Sequence, residues 1–384
     1  MQALAELLAG LLVEGFREFQ QWWSNRARLR AATATKVPDA QPARSPAPSV
    51  DVEPHVAELL VRHARRHVGV AVGVLRGDLS WFVGSGTAGP GRPSPPLADT
   101  IFEIGSVTKV FTATLLAALV EDGTVALQDP VQDYLPADVK LPVRGRPITL
   151  GDLATHTAGL PRLPHGFILR SLGHRRNPYA WFTVEDLYAG LPDTRLRREP
   201  GGAPRYSNLG YGLLGHVLAV RVGSSYEELI AERICRPLEL ADTVMEVPEL
   251  ARGRFAQGHN RRAQPMPHWD LPVLAGAGAL RSTVADLLAF LRLQLGEGEP
   301  ALVRAAALTQ ATRVRHRGIA VGLGWTRGLL LGSDNELLFH NGGTGGFRSF
   351  VGMVPATHTA VAVLSNSARS VDALGFRILE GING

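Results

Sequence analysis

Apolar residues cluster with strand-like spacing at both ends of the sequence. Residues 68–74 form an apolar, β-branched run, and residues 79–83 give a second one after a Gly-Asp turn signal. Near the other end, residues 347–354 and 359–365 have the same character. This pattern predicts strands from the two ends that pair with each other across the length of the chain.

Between these runs the apolar spacing becomes helical. A helix is predicted from Ser106 to about Asp122, and residues 371–380 predict a closing helix. Residues 125–275 indicate helical segments broken by Pro and Gly loops. The predicted fold class is therefore α+β: an antiparallel β-sheet flanked by helices, with an inserted, mainly helical subdomain at about 125–275.

The first 50 residues differ from the rest. Residues 1–23 place leucine and phenylalanine at helical spacing, which predicts an amphipathic helix, and residues 24–50 are rich in Arg, Ala, Pro and Ser, as in a linker. The folded domain is then expected at 51–384. The terminal helix can pack on its own domain, on a second copy of the chain as a homo-oligomer, or on a membrane surface, and a secretory signal remains an alternative.

Composition narrows the possible partners and compartment. The chain has 384 residues, a formal net charge of +5 and scattered basic residues, so nucleic-acid binding is not expected. Its single cysteine, Cys235, cannot form an intrachain disulfide, which favours a cytoplasmic location over a secreted or membrane-associated one. The histidines lack metal-ligand spacing, so neither a metal nor an organic cofactor is predicted.

The first candidate for chemistry is Ser106-Val107-Thr108-Lys109. Serine needs a neighbouring base to act as a nucleophile, and residues three apart share a helix face. Lysine occurs at only three positions in this arginine-rich chain, and lysine can give up a proton whereas arginine cannot. The alternative is a serine helix cap beside an ordinary surface lysine.

Two further segments carry candidate site residues. Tyr206-Ser207-Asn208 offers a phenol that can act as a general base near a protonated lysine, and an amide that can orient a substrate; the alternative is an ordinary loop. His340-Asn341-Gly342-Gly343 opens a glycine-rich segment predicted to lie between a strand and Phe347. Its glycines permit close approach of a ligand and its free edge can bind an extended substrate, whereas a phosphate-binding loop would need a following helix.

Together with Leu153-Ala154-Thr155-His156-Thr157-Ala158-Gly159-Leu160-Pro161, these segments resemble, in order and spacing, the signatures of the class C β-lactamase family within the penicillin-binding-protein superfamily. The resemblance covers about residues 52–384. It implies that Ser106 is the nucleophile, that Lys109 and Tyr206 share acid and base work, and that Asn208 holds the substrate. It also implies an oxyanion hole from the backbone N–H groups of Ser106 and Gly343.

The third segment departs from the family pattern. Most true β-lactamases begin it with Lys-Thr-Gly, whereas His340, Asn341 and Gly342 stand here, as is familiar among the family's peptidases and esterases. Neutral imidazole pairs weakly with a carboxylate, so efficient β-lactam hydrolysis is not expected. The leading prediction is a serine hydrolase acting on a small amide or ester, and the alternatives are an acyltransferase or a catalytically silent binding or assembly protein.

Overall fold

A computed structural model describes residues 52–89, 94–316 and 319–384. The predicted helix at 1–23 and linker at 24–50 lie outside these residues. The strands are β1 (Gly69–Arg76), β2 (Leu79–Gly86), β3 (Phe102–Glu103), β4 (Arg281–Ser282), β5 (Val314–His316), β6 (Ile319–Val321), β7 (Thr326–Leu329), β8 (Glu336–Gly343), β9 (Arg348–Val354) and β10 (Thr359–Ser365).

The α-helices are α1 (Val52–Ala64), α2 (Thr108–Glu121), α3 (Leu150–Ala154), α4 (Phe167–Arg170), α5 (Val184–Gly190), α6 (Asn208–Val222), α7 (Tyr226–Ile230), α8 (Ala275–Gly278), α9 (Val284–Gln294), α10 (Pro300–Gln310) and α11 (Asp372–Asn383). No helix in the described part of the chain combines the length and hydrophobicity needed to span a bilayer.

Eight strands form one antiparallel sheet in the order β2-β1-β10-β9-β8-β7-β6-β5. The first strand pairs with the last, with Val72 opposite Val363. The predicted α+β class, with strands from both ends in one antiparallel sheet, is confirmed. β3 and β4 form a separate two-stranded pair, and β3 lies just before the catalytic candidate Ser106 in the sequence.

Both faces of the central strands are covered by helices. Val70, Val72 and Val74 of β1 belong to a core shared with α1 and α11, whereas Ala71 and Leu75 face the larger core that contains α2 and α9. Because alternate residues of a strand point to opposite faces, burial on both sides requires a continuous apolar run. This requirement explains the uninterrupted apolar sequence of β1.

Residues 125–275 contribute no strand to the large sheet. Their regular structure is helical, with α6 the longest helix, but long loops connect these helices. Two of the helices, α3 and α5, begin with a capping box in which a threonine and an aspartate exchange hydrogen bonds. Such local interactions fix helix starts that packing alone would leave free to fray.

The sequence predicted that the glycine-rich segment follows a strand. In the structure its first four residues, 340–343, are instead the end of the strand β8 itself. These residues pair with β9, with Gly343 opposite Arg348. On the other side, pairing with β7 stops at Phe339, opposite Thr326. The last four residues of β8 therefore have one paired edge, while the other edge lies beyond the end of β7.

Candidate active site

Ser106 lies in a 3-10 turn, Gly105–Val107, that leads into α2. The turn is held close to β8, because Ser349 Oγ of β9 donates a hydrogen bond of 2.7 Å to the carbonyl oxygen of Ile104. Gly105 has φ of +49°, and a Cβ at this position would lie 2.7 Å from the nitrogen of Gly343. Only glycine permits this approach, which brings the nucleophile candidate against the end of β8.

The three side chains with predicted acid, base or nucleophile roles converge. Ser106 Oγ is 3.1 Å from Lys109 Nζ, one helical turn along the chain. Tyr206 Oη donates a hydrogen bond of 2.6 Å to the same oxygen from the segment that precedes α6. The amine of Lys109, from the same helical turn, and the phenol of Tyr206, from 100 residues away, therefore both contact the Ser106 hydroxyl.

Lys109 is fully buried at the base of this cluster. Its Nζ donates hydrogen bonds to Asn208 Oδ1 at 3.0 Å and to the carbonyl oxygen of Ala277 at 2.6 Å. Burial, assisted by the positive charge of Arg162, lowers the pKa of Lys109 well below its usual value. A neutral amine has two hydrogens to donate and one lone pair that can accept. The oxygens of Asn208 and Ala277 can take the two hydrogens, which leaves the lone pair for the Ser106 hydroxyl.

Tyr206 is held with its phenol protonated. Burial raises the pKa of Tyr206 to about 12, although the positive charge of Arg162 and the hydrogen bond to Ser106 act in the opposite direction. The phenol is thus a hydrogen-bond donor at neutral pH in the free protein. The sequence predicts that Lys109 and Tyr206 share the acid and base work, and how they divide it stays a prediction.

A cavity of about 80 Å³ opens above Ser106. Its wall includes all the predicted site residues except Lys109, which lies beneath it, and His340. Asn341 is oriented by a hydrogen bond of 2.7 Å from its Nδ2 to Asp372 Oδ2 at the start of α11. The remaining lining residues include Tyr179, Trp269, Leu271, Arg162 and Arg348.

His340 is not among the described residues that line the Ser106 cavity, and its role in substrate binding stays a prediction. It is 7% exposed, and it lines a neighbouring cavity behind Tyr206. Burial and the nearby Lys109 lower the pKa of His340 to about 3. Its ring centre lies 6.4 Å from that of Tyr206, so His340 stands on the Tyr206 and Lys109 side of β8.

Sequence reasoning missed the two arginines of the cavity wall. The guanidinium carbon of Arg162 lies 4.9 Å from the centre of the Tyr206 ring. Arg348, at the start of β9, is 9% exposed, and its Nη1 donates to the carbonyl oxygens of Thr344 and Phe347 at 2.8 Å each. Arg162 directly follows Pro161, and Arg348 stands two residues after Gly346, so each lies beside a family signature. That proximity was the sequence signal that could have identified them.

His156 supports Tyr206 from behind. It adopts φ of +60°, and its ring centre lies 4.7 Å from that of Tyr206. The backbone N–H of Ser207 donates to its Nδ1 at 3.2 Å. Within the described ranges, no group of three or more His, Cys, Asp or Glu side chains could hold a metal ion.

Comparison with known proteins identifies the family. The Beta-lactamase family model matches residues 52–379. This chain belongs to the Beta-lactamase family. It is 30% identical to the D-alanyl-D-alanine-carboxypeptidase/endopeptidase AmpH of Escherichia coli strain K12, over 88% of this chain and 89% of that one. It is 27% identical to a β-lactamase of Pseudomonas fluorescens, over 78% of this chain and 88% of that one.

A solved structure agrees with this assignment. The class C β-lactamase of Rhodobacter sphaeroides superimposes with a TM-score of 0.74 at 28% identity, covering 85% of this chain and 98% of that one. This member of the Beta-lactamase family therefore has the fold that β-lactamases and related serine hydrolases share.

Proposed function

We propose that this protein is a serine hydrolase that forms an acyl-enzyme at Ser106 from an amide or ester. The observation that supports this proposal is the position of Ser106 Oγ, between Lys109 Nζ at 3.1 Å and Tyr206 Oη at 2.6 Å. A buried lysine with a lowered pKa is a base that can accept a proton from serine at neutral pH.

In the first step, Ser106 Oγ bonds to the substrate carbonyl carbon while its proton passes to Lys109 Nζ. The carbonyl oxygen gains negative charge, and the backbone N–H groups of Ser106 and Gly343 stabilise it. The carbonyl then re-forms as the bond to the leaving group breaks. Tyr206 supplies the proton to the leaving atom, and the phenolate left behind recovers a proton from the Lys109 ammonium, whose Nζ lies 4.7 Å from the centre of the Tyr206 ring.

In the second step, water attacks the acyl-enzyme and the same groups act in reverse. A proton leaves the water for the Tyr206–Lys109 pair, and Ser106 Oγ recovers its proton as the acid product departs. Asn208 is tied to Lys109 and to Tyr179 Oη, so its amide is positioned beside the reacting carbonyl. The relatives' names suggest D-alanyl peptides and β-lactams as compounds to test alongside simple esters.

Covalent labelling tests the proposal. The protein is treated with a small fluorophosphonate and its intact mass is measured, and turnover is screened with p-nitrophenyl esters, D-amino-acid amides and nitrocefin. We expect one adduct per chain in the natural protein and none in Ser106→Ala. Ser224→Ala, at a serine that does not line the Ser106 cavity, is the matched control and should label normally. Equal labelling of Ser106→Ala would refute the nucleophile assignment.

A further inference from the structure

A second cavity of about 100 Å³ lies behind Tyr206, next to the one that contains Ser106. Tyr206 and Asn341 belong to the walls of both, so the two spaces meet at the phenol. Most of the second wall is apolar, with contributions from Ala154, Pro204, Val321, Trp325 and Phe339. The mechanism above assigns no role to this space.

The polar groups of the second cavity are uncharged. His340 donates from Nδ1 to the carbonyl oxygen of Asn341 at 2.7 Å, and His156 accepts the N–H of Ser207 at its Nδ1. These partners fix one neutral tautomer for each ring, and burial lowers the pKa of both histidines. None of the described residues that line this cavity is Asp, Glu, Lys or Arg, whereas the Ser106 cavity contains Arg162, Arg348 and Asp372.

The position of Tyr206 indicates which part of a substrate would enter. A group that protonates the leaving atom has to lie on the leaving group's side of the carbonyl. Space that continues past Tyr206 is therefore reached by the leaving group, while the acyl group faces the part of the wall near Asn208 and Trp269.

We propose that the cavity behind Tyr206 is the leaving-group subsite and that it selects esters or amides whose leaving group is apolar and uncharged. This inference rests on the proposed function. A leaving group that carries a carboxylate, such as a terminal amino acid, would place a charge against Trp325, Phe339 and two neutral imidazoles, where no cationic side chain among the described lining residues replaces its hydration.

The expected selectivity follows from the size and polarity of the space. An apolar cavity of about 150 Å³ accepts benzene, so this subsite can take a branched alkyl group, or a phenyl ring with a small movement of its walls. One extra or missing methylene group in an apolar pocket changes kcat/KM by roughly 10–200-fold. A buried carboxylate without a partner is disfavoured at least as strongly.

A matched pair of esters tests the proposal on the natural protein. Phenyl acetate and 3-carboxyphenyl acetate share an acyl group and release phenols of similar basicity, so their difference reports the carboxylate. We expect kcat/KM to be at least about 10-fold higher for phenyl acetate. Equal values, or a preference for the carboxylate, would overturn the subsite while leaving Ser106 labelling, and thus the proposed function, intact.

Two variants locate the preference in this cavity. Val321→Trp fills the space and should reduce the preference for phenyl over methyl esters by about 10-fold, while His340→Lys introduces an ammonium and should shift preference toward 3-carboxyphenyl acetate by a similar factor. Val220→Trp, on the exposed face of α6, is the control and should leave both ratios unchanged. Each variant is first labelled with the fluorophosphonate to show that Ser106 still reacts. If labelled Val321→Trp and His340→Lys both keep the natural ratios, the subsite lies elsewhere.

Discussion

Lys109 Nζ lies 2.6 Å from the carbonyl oxygen of Ala277, so the amine is anchored from below by the backbone of α8. Its bond to Asn208 adds a second anchor from α6. Two acceptors, each from a different element, consume the hydrogens of a neutral amine. This arrangement directs the remaining lone pair at Ser106 and gives the strongest physical reason to treat Lys109 as a base.

We expect Lys109→Arg to slow acylation by roughly 10²–10⁴-fold, because a guanidinium retains the positive charge but cannot accept a proton from Ser106. The measurement is the rate of labelling by a fluorophosphonate. Lys140→Arg is the matched control, since Lys140 is exposed and bonded only to the nearby Ala137 carbonyl in the described structure. Near-normal labelling of Lys109→Arg would remove the lysine from the mechanism.

The pH dependence of kcat/KM on a neutral ester should be broad and extend to high pH. Lys109 has to be neutral, and burial lowers its pKa, so activity should rise through an acid limb well below the usual lysine pKa. Tyr206 has to keep its proton, and burial raises its pKa to about 12, so the alkaline limb should appear only near that value. A decline centred near 10.5, where an ordinary lysine titrates, would indicate that the ammonium form is required.

Gly105→Ala should lower kcat by about 10²–10³-fold, the usual cost of losing one oxyanion-hole donor. The added methyl group would meet the nitrogen of Gly343 at 2.7 Å and push β8 away from Ser106. Gly123→Ala provides the control: this glycine also has positive φ, at +76°, but a Cβ there meets nothing within 4 Å. It should lose a little stability and no activity. Similar activity losses in both variants would attribute the effect to backbone strain.

Asp152→Asn should lower the free energy of unfolding by about 1–3 kcal/mol at neutral pH. Burial opposes ionisation of Asp152, but hydrogen bonds from Arg146 and Thr149 outweigh it and hold the pKa below its usual value. Because the folded pKa is depressed, this stabilisation is present above the ordinary aspartate pKa and disappears as pH falls through the folded value. Urea unfolding at neutral pH and near pH 3 measures it, and the deficit of Asp152→Asn should shrink at the lower pH.

The equivalent capping box of α5 supplies the comparison. Asp186 also accepts from a threonine and an arginine, but its carboxylate is more exposed, at 15% against 6% for Asp152. Asp186→Asn should therefore cost less stability, within about 1 kcal/mol. If the two variants cost the same, burial of the carboxylate contributes nothing to the difference.

The sequence predicted the local parts of this protein better than their tertiary arrangement. Strands β1, β9 and β10 and helix α2 were found because apolar periodicity is a local signal. The continuation of β8 through residues 340–343 was missed, because polar and glycine residues enter a strand there only through pairing with β9. The same holds for the site. The order of the motifs along the chain was enough to identify Ser106, Lys109 and Tyr206 as candidate site residues.

What the motifs could not supply is the environment of each group. Arg162 affects the pKa of Lys109 although 53 positions separate them, and only the folded loop brings the guanidinium to the Tyr206 ring. His340 was predicted to bind substrate, and only the folded chain shows that it lies in the wall of the neighbouring cavity, 6.4 Å from the Tyr206 ring. Such relationships depend on packing between distant segments, which single-sequence patterns do not encode.

The pairing of β1 with β10 has a consequence for biosynthesis. Until the ribosome has made β10, the strand that joins β1 to β9 does not exist. The nascent chain therefore holds its serine, lysine and tyrosine without the framework that brings Gly343 to the serine. Reactivity toward acyl compounds should therefore be acquired only once β10 has emerged and paired with both neighbours.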